Sequence, residues 1–159
     1  MTRTESGAPQ HPFLRAALDL AYANVERGGR PFGAVVVKGG GILATGVNEV
    51  IGTHDPTAHA ELMAIRAASQ KLGSPNLAGC AVFASGHPCP MCMAAMRLAG
   101  IAEITYAYSN EDGAPYGLST AAVYADLAKP FAEQSMKITY MPVRLESRVD
   151  LYELWKSKA

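Results

Sequence analysis

Charge is scarce in this sequence and has no bias. Charged residues make up 18% of the 159, and 14 Lys and Arg stand against 14 Asp and Glu. Such a balance removes the general electrostatic footprint of a nucleic-acid binder and leaves only a local patch for that role. Long apolar runs are missing as well. Apolar runs are short and punctuated, as in the glycine-rich stretch 39–48, and fall well below the ~20 apolar residues of a membrane-spanning helix. The opening MTRTESGAPQHPF has no apolar run of the kind a secretory signal carries, so the expected address is cytoplasmic. Cysteine is limited to three, an odd number, with Cys89 and Cys92 three residues apart. A disulfide framework is therefore not expected, and metal or redox chemistry comes forward. What the chain does have is 49% hydrophobic content and a length at which one domain buries about 68–70% of its unfolded surface. It is expected to fold without staples, and disorder is excluded for most of its length.

Periodicity and punctuation give an element order. Residues 12–27 carry Phe13, Ala17, Leu20, Ala21 and Val25 at helical spacing, and Gly28-Gly29 stops the run. Residues 32–37 and 42–50 read as two strands joined by a turn at Lys38-Gly39-Gly40-Gly41. Asp55 as N-cap and Pro56 at the first helical position predict a helix that runs to Gly73. A buried strand over 80–84, a helix from Pro90 to Gly100 and a strand over 101–108 follow. Beyond a loop at 109–117, a short helix over 119–127, a last strand over 136–143 and a terminal helix over 147–158 are expected. The result is a flexible N-terminal tail, 1–10, and a single domain, 11–159. Its fold class is α/β: a three-layer α/β/α sandwich around a five-stranded mixed sheet.

Two short segments carry the chemistry, Thr57-Ala58-His59-Ala60-Glu61 and His87-Pro88-Cys89-Pro90-Met91-Cys92. A catalytic zinc takes three protein ligands and keeps its fourth position for water. His59, Cys89 and Cys92 supply such a set. Both segments fall where helices begin, and a helix N-terminus favours the thiolate that binds metal. His59 and Glu61 are about 200° apart around a helix, so both cannot easily ligate one ion. Glu61 is better placed beside the fourth position, to move protons. A structural zinc would need a fourth protein ligand, for which only Cys80 and His54 are candidates, and Cys80 reads as a small core residue. A redox reading of Cys89 and Cys92 gives no role to His59 and Glu61.

On the residues His59-Ala60-Glu61 and Pro88-Cys89-Pro90-Met91-Cys92, the chain resembles the zinc-dependent nucleobase and nucleoside deaminases of the cytidine-deaminase-like superfamily. The segment Arg30 to Val35, Asn48 and Asp55 to Glu61 extend the resemblance toward bacterial guanine deaminases. The resemblance implies a cytidine-deaminase-like fold, zinc (Zn2+) held by His59, Cys89 and Cys92, and hydrolytic deamination of an amino-substituted heterocycle with Glu61 as the proton carrier. It further implies substrate contacts from Asn48, from the backbone at Ala60 and from the ring of Phe32. Its expected partner is a small heterocyclic base, with no membrane and no nucleic acid, and its expected state is a homodimer.

The departures lie in the pocket wall. Thr120 stands where those guanine deaminases carry an aspartate, His87 where the family usually has a glutamate, and the chain ends Lys158-Ala159 where they close the site with a tyrosine. A purine base, guanine or a close analogue, is the expected substrate. The alternatives are a tRNA wobble-adenosine deaminase, which the zero net charge disfavours, and deamination of cytosine or a pterin. A zinc-stabilised binding module is the non-enzymatic reading.

Overall fold

Burial along the first strand sets the architecture. The computed structural model describes residues 11–159, and the expected tail over residues 1–10 lies outside them. Strand β1 (Gly33–Lys38) is buried on both faces, since Ala34, Val35, Val36 and Val37 are all core residues. Successive side chains of a strand point to opposite faces. Val35 and Val37, with Phe83, therefore meet Phe13, Leu14 and Leu20 of helix α1 (Pro12–Glu26) on one side. Ala34 and Val36 meet Ala60, Ala64 and Ala68 of α3 (Ala60–Leu72) and Cys92 and Met96 of α4 (Pro90–Leu98) on the other. A sheet covered on both faces gives the three layers expected.

The sheet runs in the order β2-β1-β3-β4, with β2 (Gly41–Val47), β3 (Ala81–Gly86) and β4 (Glu103–Tyr108). Strand β1 pairs antiparallel with both β2 and β3, and β3 pairs parallel with β4, so the sheet is mixed. The β1–β2 hairpin turns through Gly39 and Gly40, at φ 59° and 79°, between the paired Lys38 and Gly41. Two consecutive positive φ values suit the tight turn that matches the strand twist. A short helix, α2 (Val50–Thr53), follows β2 and is not evident in the sequence.

Four strands are present among the described residues, not five. The segment 136–143, expected as a strand, alternates Met136, Ile138 and Tyr140 with Lys137 and Thr139. Alternation makes a strand only where a neighbour completes the ladder, and this segment pairs with none of the described strands. Within it Val143 N–H bonds back to the Met141 carbonyl, at 2.8 Å, and Pro142 offers no N–H.

The described residues fall into two compact units, the first ending at Ala125 and the second spanning Asp126–Ala159. The three-layer sandwich belongs to the first, together with α5 (Asn110–Gly113) and most of α6 (Ala121–Leu127). In the second unit Asp126 accepts from Ser135 N–H and Oγ, at 3.1 and 2.8 Å, and Asp150 caps α7 (Leu151–Lys158) by accepting from Tyr152 and Glu153 N–H. No helix among the described residues is long and apolar enough to cross a membrane.

Candidate active site

The N-termini of α3 and α4 carry the site. Helix α3 begins at Ala60, later than the Asp55-Pro56 signal predicts. Asp55 spends its carboxylate on a turn instead. Its Oδ1 accepts from Thr57 N–H at 2.8 Å and from Thr57 Oγ1 at 2.7 Å, and Ala58 N–H bonds to its carbonyl at 3.1 Å. These bonds from Thr57 hold the Asp55 carboxyl below the usual carboxylate range. His59 is consequently the N-cap of α3, with an extended backbone (φ −73°, ψ 153°), and its imidazole lies at the helix mouth and not on its side. Glu61 sits in the first turn and is buried, 6% exposed.

Cys89 plays the same part for α4. It is the N-cap, extended at φ −71° and ψ 166°, and its Sγ accepts from Cys92 N–H at 3.5 Å. Pro90 at the first helical position loses nothing by lacking an N–H there. His59 Nδ1 lies 3.4 Å from Cys89 Sγ and 3.7 Å from Cys92 Sγ, and Cys92 Sγ is 3.3 Å from Glu61 Oε2. Among the described residues, His59, Cys89 and Cys92 form the one group of three such side chains whose donor atoms all fall within 4.8 Å of one another. Tetrahedral zinc, at about 2.0 Å from nitrogen and about 2.3 Å from sulfur, requires nitrogen and sulfur about 3.5 Å apart. The observed separations fit that requirement, and three donors leave one vertex open. Neither Cys80, buried in the apolar core, nor the exposed His54 belongs to the group.

Electrostatics agree with the donor set. The Cys89 thiol is lowered to about 4, first by its hydrogen bond with Cys92, with His59 and the Cys92 N–H adding to the effect against burial. Cys92 moves up, because it faces that thiolate and is buried beside Glu61. His59 is raised, chiefly through its bond to Cys89. Burial raises Glu61, against the bonds from its own backbone and from Cys92. Two sulfurs and an imidazole gathered beside a buried carboxyl are a donor set that a dication would hold together.

A cavity of about 150 Å³ opens on this cluster, lined by Arg30, Phe32, Asn48, His59, Ala60, Glu61, His87, Cys89 and the segment 117–120. Phe32, Asn48, His59, Ala60, Glu61 and Cys89 thus line one cavity, and Cys92 is fully buried beside Glu61. Asn48 is buried, and its Oδ1 accepts from Val50 N–H at 3.1 Å. Phe32 is half-buried and packs on the core beneath Gly86. Thr120 Oγ1 is the one buried side-chain oxygen or nitrogen among the described residues with no hydrogen-bond partner. A hydroxyl left so in a pocket wall is a natural place for a ligand's polar atom.

Sequence reasoning missed the supports of this wall. Asn110 Oδ1 accepts from Thr120 N–H at 3.2 Å, and the Tyr124 hydroxyl donates to the Pro88 carbonyl, bracing the turn that delivers Cys89. His87 sits between the rings of Tyr106 and Tyr124, at 4.8 and 5.5 Å. No periodicity signals such contacts, since each joins segments distant in sequence.

Comparison with known proteins meets this geometry independently. The profile of the cytidine and deoxycytidylate deaminase zinc-binding region matches residues 8–108. A guanine deaminase of Bacillus subtilis is 39% identical over 148 residues, covering 92% of this chain and 94% of its own. A tRNA-specific adenosine deaminase of Aquifex aeolicus is 34% identical over 145 residues, covering 91% and 92%. The crystal structure of guanine deaminase from Bacillus subtilis superposes with a TM-score of 0.83 over 96% of both chains, at 38% identity. The histidine and two cysteines that converge here thus lie within the matched zinc-binding region, and the chain belongs to the cytidine and deoxycytidylate deaminase family of zinc-dependent hydrolytic deaminases.

Proposed function

We propose that the protein removes the amino group of a purine base, guanine or a close analogue, by hydrolysis: water is consumed, a carbonyl replaces the amine, and ammonia leaves. The observation that carries this reading is the buried Glu61 beside the His59, Cys89 and Cys92 cluster, facing a cavity of about 150 Å³. That space suits one small aromatic heterocycle. His59, Cys89 and Cys92 would hold zinc, and zinc bound there would supply the Lewis acidity that makes water nucleophilic at neutral pH. Glu61 takes up a proton at its carboxylate, delivers it to a ring nitrogen and serves the departing amine in turn. Burial raises its proton affinity, the direction a proton carrier needs. Asn48 hydrogen-bonds the base, the backbone of Ala60 at the helix mouth does likewise, and the ring of Phe32 packs against it. The first N–H groups of a helix have no intrahelical partner, which suits Ala60 to that part.

The guanine deaminase likeness supports the purine assignment. The tRNA-specific adenosine deaminase likeness supports a second reading, adenosine in RNA, against which stands the zero net charge. The cytoplasmic address and the homodimer belong to the same proposal. Within the second unit Tyr140, Tyr152 and Trp155 are 84%, 80% and 71% exposed, an apolar surface of the kind that a subunit interface covers. Sedimentation is expected to give a dimer, and a monomer at micromolar concentration would remove that part.

The test of substrate is ammonia release from the zinc-loaded enzyme with guanine, adenine, cytosine, a pterin, their nucleosides and a tRNA anticodon stem-loop. Turnover of guanine or an amino-purine analogue is expected. If the free bases are inert and the stem-loop is deaminated, the purine-base reading is wrong.

A further inference from the structure

Two of the buried polar side chains, Asn24 and Ser85, do not line the site cavity, and both bond to the backbone that enters the β1–β2 hairpin. Asn24, in the last turn of α1, is 6% exposed, on the face where Ala17 and Ala21 are also buried. Its Nδ2 donates to the Arg30 carbonyl at 2.8 Å and to the Asn48 carbonyl at 3.0 Å. The two carbonyls belong to opposite ends of the β1–β2 hairpin, one before β1 and one after β2. The same backbone is linked further, since Phe32 N–H bonds to the Arg30 carbonyl at 2.8 Å and Asn48 N–H to the Phe32 carbonyl at 3.1 Å. The segments of both residues proposed to touch the base, Phe32 and Asn48, are therefore tied to each other through one carboxamide, beside the Gly33 N–H bond to Ser85 Oγ at 3.0 Å.

Three features make this a clamp and not incidental filling. Nδ2 reaches two carbonyls, one for each of its amide hydrogens, and does so without burying a charge. The chain passes directly over the carboxamide at Gly29, where an added Cβ would lie 2.5 Å from Asn24 Nδ2. Val50 N–H occupies Asn48 Oδ1 at 3.1 Å, which leaves the Asn48 amide hydrogens for a ligand and makes the setting of its backbone the determinant of where they point.

We infer that Asn24 is a positioning residue for substrate recognition: its carboxamide ties the open end of the β1–β2 hairpin so that Asn48 and Phe32 present a fixed wall to the base. This rests on the reading of Asn48 and Phe32 as substrate contacts. An apolar residue of similar volume fills the same space but takes the Asn24 donor from both carbonyls, leaving the Arg30 carbonyl with the Phe32 N–H alone, and the Asn48 carbonyl relaxes toward solvent or a new partner.

The test uses zinc-loaded Asn24→Leu, Asn48→Ala and their double variant with guanine as the probe, together with amide hydrogen exchange on the free protein. Asn24→Leu is expected to raise KM about tenfold and to lower kcat less than threefold. In the Asn48→Ala background it adds nothing to KM. Exchange at Phe32 and Asn48 is expected to quicken about tenfold while Val35 and Val36 stay protected. Gly29→Ala, which pushes on the carboxamide without removing it, is expected to reproduce the KM shift. Unchanged exchange at Phe32 and Asn48 in Asn24→Leu overturns the clamp, and so do multiplying effects on KM in the double variant. If Asn48→Ala leaves KM unaltered, the reading of Asn48 as a substrate contact fails instead, and exchange alone then decides the clamp.

Discussion

Adding one methyl group to Gly46 tests how the scaffold places the chemistry. Gly46 lies on β2 where α3 crosses it, and a Cβ built there would stand 2.3 Å from the Ala60 carbonyl oxygen and 2.5 Å from Ala64 N. Both are backbone atoms of α3, so no flexible side chain can move aside. Cβ contacts below 3.0 Å essentially do not occur, and Gly46→Ala must shift the start of α3 by at least about 0.7 Å from the sheet. Overpacking of this kind costs about 1–3 kcal/mol, or about 2–12 °C in Tm for a chain of this size. The functional effect is larger than the loss of stability. Glu61 and His59 move with α3, whereas Cys89 and Cys92 sit on α4, and a displacement near 1 Å can lower kcat about 10²-fold. The assay pairs thermal unfolding with zinc content and initial rates of ammonia release. Gly41→Ala is the control, since it lies on the same strand with nothing within 4 Å of the added Cβ. A Gly46→Ala protein with the Tm and rate of the control would refute the claim that β2 and α3 in contact set the site.

Three more perturbations separate parts of the account. Removing zinc with a chelator is expected to abolish activity and lower Tm while the far-ultraviolet circular dichroism stays unchanged, because the ligands stand at the ends of helices packed on a complete sheet; loss of that spectrum would contradict it. Thr120→Val removes the hydroxyl that has no partner in the pocket wall, so Tm is expected to hold or rise, since an unsatisfied buried hydroxyl costs about 1–3 kcal/mol. The order of preference among bases is expected to change; a large fall in Tm with preference intact would assign Thr120 to structure alone. The Asp55 carboxyl is lowered by Thr57, so its folded value lies below the unfolded one, and its contribution is present above the unfolded value and lost as pH falls through the folded one. Asp55→Asn is therefore expected to lower Tm at pH 7 and to converge on the wild type as pH falls below the usual carboxylate range, and a difference that stays constant with pH would exclude the linkage.

The sequence made the site legible earlier than the fold. His59, Glu61, Cys89 and Cys92 could be assigned because metal chemistry restricts residue type and spacing, and the structure brings them within contact. The hairpin was readable from the glycines between two β-branched runs, and the layers from buried strands alternating with helices. Misreadings came where a local signal had two solutions. Asp55-Pro56 suits a helix start and equally an Asx turn, and only the bonds to Thr57 decide between them. That difference matters, because it makes His59 a cap and frees it from the helical geometry that would have set it against Glu61. The alternation at 136–143 lacks a paired strand, which no period can reveal. Asn24 carries no signal in the sequence, since its two acceptors lie 6 and 24 positions away.

The central claim is that a buried Glu61 moves protons at a zinc site built from His59, Cys89 and Cys92. Glu61→Gln keeps the size and the polar contacts of the side chain and removes its capacity to carry the proton. The decisive measurement is the rate of ammonia release by this variant together with its zinc content. The account predicts one zinc per chain, as in the wild type, and a rate lower by about 10²–10⁴-fold. A zinc-loaded Glu61→Gln enzyme that works at the wild-type rate would contradict it.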